Sequence, residues 1–329
     1  MTTGEGMGMR YRLFGNTGLR VSELLLGTMT LQDEHETRRV LDAYAEAGGN
    51  VIDTASAYAD SESLLGSVIE ERDRFVLATK YTLSRDAEDP NAAGNHRKNL
   101  VLSLERSLRR LRTDYIDIFW VHVWDRHTPI EETMRALDDV VRAGKVLYVG
   151  ISDAPAWVVA RANTLAEWRD WTPFAGLQVP YNLLRRDIER ELLPMAEGLG
   201  LSVAAWAPLA SGVLAAAGRR FDPDKLTPRE LAAQRAVAEV AAELGASPAQ
   251  VALAWTRAKS PAVLPLVGVS RPEQLKDNLG ALDLTLPPEA VTRLDAATDF
   301  ELGVPADFIA ECEPSPFVFG NAATQVVGR

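Results

Sequence analysis

The sequence predicts an α/β fold built as an eight-stranded parallel (β/α)8 TIM barrel, and three observations carry that expectation. Short apolar runs alternate eight times with amphipathic stretches. The runs are four to eight residues long and mostly lack polar alternation, as parallel strands buried on both faces do. The rival architecture, a doubly wound open sheet, usually opens with a G-x-G-x-x-G turn, and the first unit here, LLLGTMTLQDEHET, has none.

In chain order, YRLFGNTGLRVSEL reads as a β-hairpin around Gly15-Asn16 and Gly18, expected as a plug on the barrel floor. The first run, Glu23–Leu26, precedes a helix over Glu34–Ala47 that carries Val40, Leu41, Tyr44 and Ala47 and stops at Gly48-Gly49. The second and third runs are Asn50–Asp53 and Phe75–Thr79. Across Asn99–Leu111, Leu100, Leu104, Leu108 and Leu111 recur at helical spacing. The fourth run is Tyr115–His122; Pro129 then starts a helix over Ile130–Val141, which Gly144 ends. The remaining runs are Val146–Ile151, Phe174–Gln178, Ser202–Trp206 and Ala262–Val267. Helices are expected over Ala154–Ala166, Arg186–Leu199, Pro228–Leu244, Pro248–Arg257 and Arg271–Leu282. One barrel domain is expected over residues 1–329, with its core in 10–284 and a C-terminal tail in 285–329.

Composition narrows the function classes. A chain of 329 residues that is 47% hydrophobic buries roughly 75% of its unfolded surface, so neither a disulfide nor a metal staple is needed. The net charge is −11 and the 35 Lys and Arg residues are scattered, which argues against a nucleic-acid partner or an anionic membrane partner. Cys312 is the only cysteine, so there is no Cys-based metal cluster; its expected role is inert. His35, His96, His122 and His127 form no helical metal-binding pair. The opening MTTGEGMGMR lacks the apolar core of a signal peptide, and Val203–Ala217 is too short to span a bilayer. A cytoplasmic protein with no metal is expected.

Barrel enzymes carry reactive groups where strands end and loops begin. The second run ends in Asp53 and leads into Tyr58, the third leads into Lys80, and the fourth ends in His122. Neighbouring strands lie about 4.8 Å apart, so these side chains can meet at one mouth. Singly, each has an ordinary structural reading: a cap, a surface ring, a solvated amine, a satisfied imidazole. Jointly, four ionisable groups on one rim suit proton transfer to an oxygen. A free Tyr, with a pKa near 10, is too weak an acid near neutrality, and an adjacent ammonium favours its phenolate. A buried Lys needs a carboxylate partner, which Asp53 can supply. A neutral His can orient a carbonyl. None of the four carries a hydride, so a redox cofactor would have to supply it.

With these residues in view, the sequence resembles the aldo-keto reductases. The resemblance rests on Gly27-Thr28, Asp53-Thr54-Ala55-x-x-Tyr58, Thr79-Lys80, His122, Gly150-Ile151-Ser152 and Gln178-x-x-Tyr181-Asn182. Trp206-Ala207-Pro208-Leu209-Ala210-Ser211-Gly212 and the segment from Gly268 to Asn278 complete it, so that it covers residues 10–284. The Trp-x-Pro-Leu form and the tail look closest to bacterial aryl-alcohol-dehydrogenase-like members and to potassium-channel β subunits.

The resemblance implies an NADPH-dependent reduction of small carbonyl compounds. Tyr58 would be the general acid, Lys80 and Asp53 its tuning partners, and His122 the group that orients the carbonyl. Ser152, Asp153 and Gln178 would hold the nicotinamide carboxamide, Trp206 would stack on the ring, and Ala207, Pro208, Leu209, Ala210 and Gly212 would run along the pyrophosphate. Ser270 and Arg271 sit where the family binds the adenosine 2′-phosphate, with Gln274, Asp277 and Asn278 near the adenine. Gly27, Thr28, Met29, Asp53 and Gly268 are further implied cofactor contacts. Asp153 stands where many members have Asn, Ala207 replaces the commoner Ser, and the segment 215–227 looks short. Met29, Tyr58, Tyr81, His122 and Trp124 are expected to line a substrate pocket, with Tyr181, Phe317 and Phe319 as further aromatic candidates. A bulky or aromatic carbonyl substrate is therefore expected. The competing reading is a cofactor-sensing, channel β-subunit-like protein with little turnover; hydrolysis or isomerisation at Asp53 and His122 ranks last because it leaves Trp206 and Arg271 unused. The oligomeric state stays open.

Overall fold

The computed structural model of the chain describes residues 8–217, 222–322 and 325. Its first elements are two short strands, β1 (Tyr11–Leu13) and β2 (Arg20–Ser22), paired antiparallel as a hairpin. Eight parallel strands then close on themselves: β3 (Leu25–Gly27), β4 (Val51–Asp53), β5 (Val76–Tyr81), β6 (Ile116–Val121), β7 (Val146–Ser152), β8 (Phe174–Pro180), β9 (Ser202–Trp206) and β10 (Val263–Gly268), with β10 pairing back onto β3. Between them run α1 (Glu34–Glu46), α2 (Ser61–Val68), α3 (Arg97–Leu111), α4 (Ile130–Arg142), α5 (Ala156–Arg169), α6 (Leu192–Leu199), α7 (Pro228–Leu244) and α8 (Pro248–Ala258). After β10 come α9 (Pro272–Leu279), α10 (Pro288–Ala296), α11 (Ala306–Cys312) and α12 (Pro316–Phe319).

Successive residues of a strand point to opposite faces, and here one face points into the barrel. Leu25, Val51, Val76, Ala78, Ile118, Trp120, Ala204, Leu264 and Leu266 form one cluster inside it. Their neighbours Leu26, Ile52, Leu77, Phe119, Val121, Val203 and Val263 belong to a second, larger cluster under the helices. Both faces are apolar, which is why these strands read as unbroken hydrophobic runs rather than alternating ones.

The hairpin seals the N-terminal end of the barrel, as expected. Phe14 at its turn meets Trp120 edge-on, 6.0 Å between centroids, and Gly15 N–H donates to Ser202 Oγ at 2.8 Å where β9 begins. The Trp120 indole fills the lumen so tightly that two neighbours must lack a side chain. A Cβ on Gly150 would lie 2.3 Å from that ring, and one on Gly176 would lie 2.4 Å from Phe14.

Several expected boundaries shift. The first barrel strand starts at Leu25, and Glu23 instead turns its buried carboxylate to Arg10, Arg12 and Arg257. The helix expected over Arg186–Leu199 is a 3-10 turn at Asp187–Glu189 followed by α6; Pro194, which has no N–H to donate, sits in the first turn of α6 where none is needed. The helix expected over Arg271–Leu282 ends at Leu279 and tightens into a 3-10 turn. The segment 215–227 and the opening MTTGEGMGMR lie partly outside the described residues. Among the described residues no helix is long and apolar enough to cross a membrane, and no three His, Cys, Asp or Glu side chains group to hold a metal.

Candidate active site

Extending the inward period by one more step at each strand end turns Gly27, Asp53, Lys80, His122, Ser152, Gln178, Trp206 and Gly268 inward at the C-terminal end of the barrel. All of these except Lys80, which lies buried beneath, line a cleft of about 600 Å³. The alternation that builds the core therefore also selects the residues facing the cleft.

Asp53, Tyr58, Lys80 and His122 come together at one end of it. Lys80 is fully buried; its Nζ donates to Asp53 Oδ1 and, at 2.7 Å, to the carbonyl of Thr54. Gln178 Nε2–H donates to Asp53 Oδ2 at 3.0 Å, so both carboxylate oxygens have partners. The Tyr58 loop is pinned from below: Ser61 N–H donates to the Tyr58 carbonyl at 2.8 Å, and the Ser61 hydroxyl joins those of Thr28 and Thr54 at 3.0 and 2.9 Å. This holds the Tyr58 ring 5.1 Å from Lys80 Nζ and edge-on to His122.

Burial dominates the electrostatics. It raises the Tyr58 phenol above its ordinary value, against the opposing pull of the Lys80 ammonium and with the added push of Asp53 and Asp153. The net lowering expected from Lys80 alone is thus corrected: the ammonium acts in that direction, and desolvation outweighs it. Burial, followed by the Lys80 charge, holds His122 down to about 3, so its imidazole is neutral. Its Nδ1 is buried without a hydrogen-bond partner among the described residues. Burial also raises Asp153, against hydrogen bonds from Ser152 and Trp206. Ser152 Oγ–H donates to Asp153 Oδ2 at 3.3 Å, and Asp153 adopts a left-handed φ of 46° that turns it toward the cleft.

The cleft continues along β9 and β10 to α9. Ala207, Pro208, Leu209 and Gly212 line it, in a turn where Ala207, Ala210 and Ser211 all have left-handed φ; Ala210 itself does not line the cleft. Ser270 lines it too, its N–H and hydroxyl both donating to Gln274 Oε1, at 2.9 and 3.1 Å. Gln274, Asp277 and Asn278 close that end. Arg271 is the N-cap residue of α9: its carbonyl accepts from the Gln274 and Leu275 N–H groups, and its exposed side chain makes no hydrogen bond or ion pair among the described residues.

Two expected pocket residues lie elsewhere. Tyr81 has the outward parity of its strand: it is fully buried under the helices, stacks on Phe119 at 5.2 Å and donates its hydroxyl to the Asn95 carbonyl. Trp124 packs edge-on against Trp157 rather than lining the cleft. Tyr181 is likewise outward and buried, its hydroxyl on Glu189 Oε1 at 2.7 Å; Phe317 is 90% exposed on the tail and Phe319 about half exposed. Met29 does line the mouth. Ala57 and Leu83 join it there without having been picked out from the sequence. Their signal was position alone, on the loops following β4 and β5.

A closed parallel barrel with its ionisable groups gathered at the C-terminal mouth defines a barrel enzyme. The comparisons with known proteins narrow this: residues 23–299 match the model of the Aldo/keto reductase family, and the chain belongs to that family, whose chemistry interconverts carbonyls and alcohols. It is 37% identical to norsolorinic acid reductase from Aspergillus flavus, over 93% of this chain and 85% of the relative. It is 38% identical to an aryl-alcohol dehydrogenase [NADP(+)] from Phanerodontia chrysosporium, over 91% and 88%. It is also 38% identical to the aldo-keto reductase ausK of Aspergillus calidoustus, over 91% and 85%.

Proposed function

We propose that the chain is an NADPH-dependent reductase of aromatic or bulky apolar aldehydes and ketones, with Tyr58 as proton donor. One observation carries this reading. The Asp53, Lys80, Tyr58 and His122 side chains sit at one end of a cleft whose other end is the N-terminal turn of α9.

The donor set fits a dinucleotide. The buried, unpartnered His122 Nδ1 and the side chains of Ser152, Asp153 and Gln178 mark the reacting end. Trp206 offers a flat apolar face beside them, and the turn at 207–212 supplies backbone along the middle. When bound, the cofactor supplies the hydride that no side chain can carry. At the far end, the positive end of α9 favours an anion, and the Arg271 guanidinium would add a bidentate contact to a phosphate. This favours NADPH over NADH, in agreement with the name of the Phanerodontia chrysosporium relative.

In the reduction, the carbonyl oxygen lies between His122 and Tyr58. The neutral imidazole donates a hydrogen bond that orients it. Tyr58 would give its proton to the carbonyl oxygen as charge builds there, and the nearby Lys80 ammonium would stabilise the phenolate left behind. Met29, Ala57 and Leu83 give the mouth an apolar lining suited to an aryl group. The Phanerodontia chrysosporium relative is named an aryl-alcohol dehydrogenase, which points the same way.

The test is turnover of para-nitrobenzaldehyde with NADPH, followed by the loss of reduced-nicotinamide absorbance. Steady consumption of both in equal amounts is expected. Tight NADPH binding with no turnover of any aryl aldehyde would instead favour a cofactor sensor.

A further inference from the structure

Gln178 and Asp53 stand on strands that face each other across the barrel. In the closed order of eight, β4 and β8 are four strands apart in either direction, so their hydrogen bond crosses the lumen and forms part of the cleft floor. Both residues are 3% exposed. An ionised carboxylate only accepts hydrogen bonds, which fixes the orientation of the amide: Nε2 faces Asp53, and the carbonyl oxygen Oε1 is left over. That oxygen makes no hydrogen bond among the described residues, and Gln178 lines the cleft.

The carboxylate is therefore held at two points, by the Lys80 ammonium on Oδ1 and by Gln178 on Oδ2. Lys80 in turn has Asp53 and the Thr54 carbonyl as its partners, and it is the cation facing the Tyr58 ring. Asp53 is thus one of the two acceptors that fix the ammonium.

We propose that Gln178 is a positioning residue for proton transfer, fixing Lys80 beneath Tyr58 by anchoring Asp53 from the opposite wall of the barrel. The carboxamide contact that the NADPH reading already gives to Gln178 would use the amide's remaining carbonyl oxygen, so the anchoring of Asp53 would tie cofactor seating to the placement of the acid. The inference rests on the NADPH reductase reading above and deepens it.

Gln178→Met removes both contacts at similar length, while Gln178→Glu restores them only when the introduced carboxyl is protonated and can donate to Asp53. Gln178→Met is expected to lower kcat about 10- to 100-fold, the scale of a displaced charged hydrogen-bond partner, with the KM for aldehyde changed less than about threefold. Its NADPH dissociation constant, read by tryptophan quenching without substrate, should rise about tenfold. Gln178→Glu should show the same kcat loss at about pH 8 and recover as the pH falls toward about 5.5, a trend that wild type and Gln178→Met lack. A Gln178→Glu profile parallel to wild type, or a Gln178→Met enzyme that keeps its kcat, would overturn the positioning role. If Gln178→Met fails to fold, the Gln178→Glu profile decides alone. Absent wild-type turnover condemns the reductase reading itself and is thereby distinguishable.

Discussion

The Tyr58 ring meets the His122 imidazole edge to face, with centroids 5.8 Å apart and planes at 80°. Two rings set in this way leave a notch that both polar ends border, and an oxygen entering it reaches a phenol that still holds its proton and an imidazole that carries no charge. Burial enforces both protonation states.

The state of His122 has a pH consequence. Its folded value of about 3 lies below the ordinary 6.5, so between these limits the unfolded chain binds a proton that the folded chain does not. Stability should therefore rise with pH across that window and fall on acidification through it. His122→Gln should flatten this slope in urea unfolding measured at about pH 4, 5, 6 and 7. An identical slope in the variant would show that the imidazole is charged in the folded protein.

At the opposite end of the barrel, Glu23 is a buried carboxylate with Arg10, Arg12 and Arg257 around it. Burial raises its pKa, and the Arg10 hydrogen bond with the three positive charges outweighs this, leaving it below its ordinary value. Its contribution to stability is thus complete above the unfolded pKa and lost as pH falls through the lower, folded one. Glu23→Gln should cost roughly 3 kcal/mol at neutral pH, since it leaves the largely enclosed Arg257 guanidinium without its carboxylate, with only the Ala281 carbonyl bond remaining. Activity per folded molecule should be unchanged, because the cluster is remote from the mouth. A drop in kcat at unchanged NADPH affinity would contradict that separation.

The proposed preference for NADPH rests on Arg271. Arg271→Ala should weaken NADPH about 10- to 100-fold and NADH less than about twofold, on the scale of a lost charged contact. Equal losses for the two dinucleotides, measured by tryptophan quenching, would remove Arg271 from the 2′-phosphate.

Much of this was legible in the sequence because the barrel writes its period into the chain. The runs ending at Asp53, Trp206 and His122 marked strand ends, and Pro228 and Pro248 marked helix starts, each confirmed by a capping box from Thr227 or Ser247. Errors arose where nearness to a strand end stood in for direction. Tyr81 follows Lys80 by one residue and therefore points the other way, into the layer that Phe119 occupies. Helix α2 escaped notice because its eight residues directly follow the Tyr58 loop with no long apolar stripe. The hydroxyl cluster of Thr28, Thr54 and Ser61 and the Gln178–Asp53 bond, which joins residues 125 apart, depend on barrel closure, and no local pattern announces them.

The most direct test of the central claim is Tyr58→Phe, assayed for para-nitrobenzaldehyde reduction and for NADPH affinity side by side. Loss of the proposed proton donor should lower kcat by about 10²- to 10⁴-fold, while the NADPH dissociation constant stays within about twofold, because the proposed role of the hydroxyl is toward the carbonyl and not the dinucleotide. A Tyr58→Phe enzyme that turns over at the wild-type rate would mean that the proton comes from elsewhere.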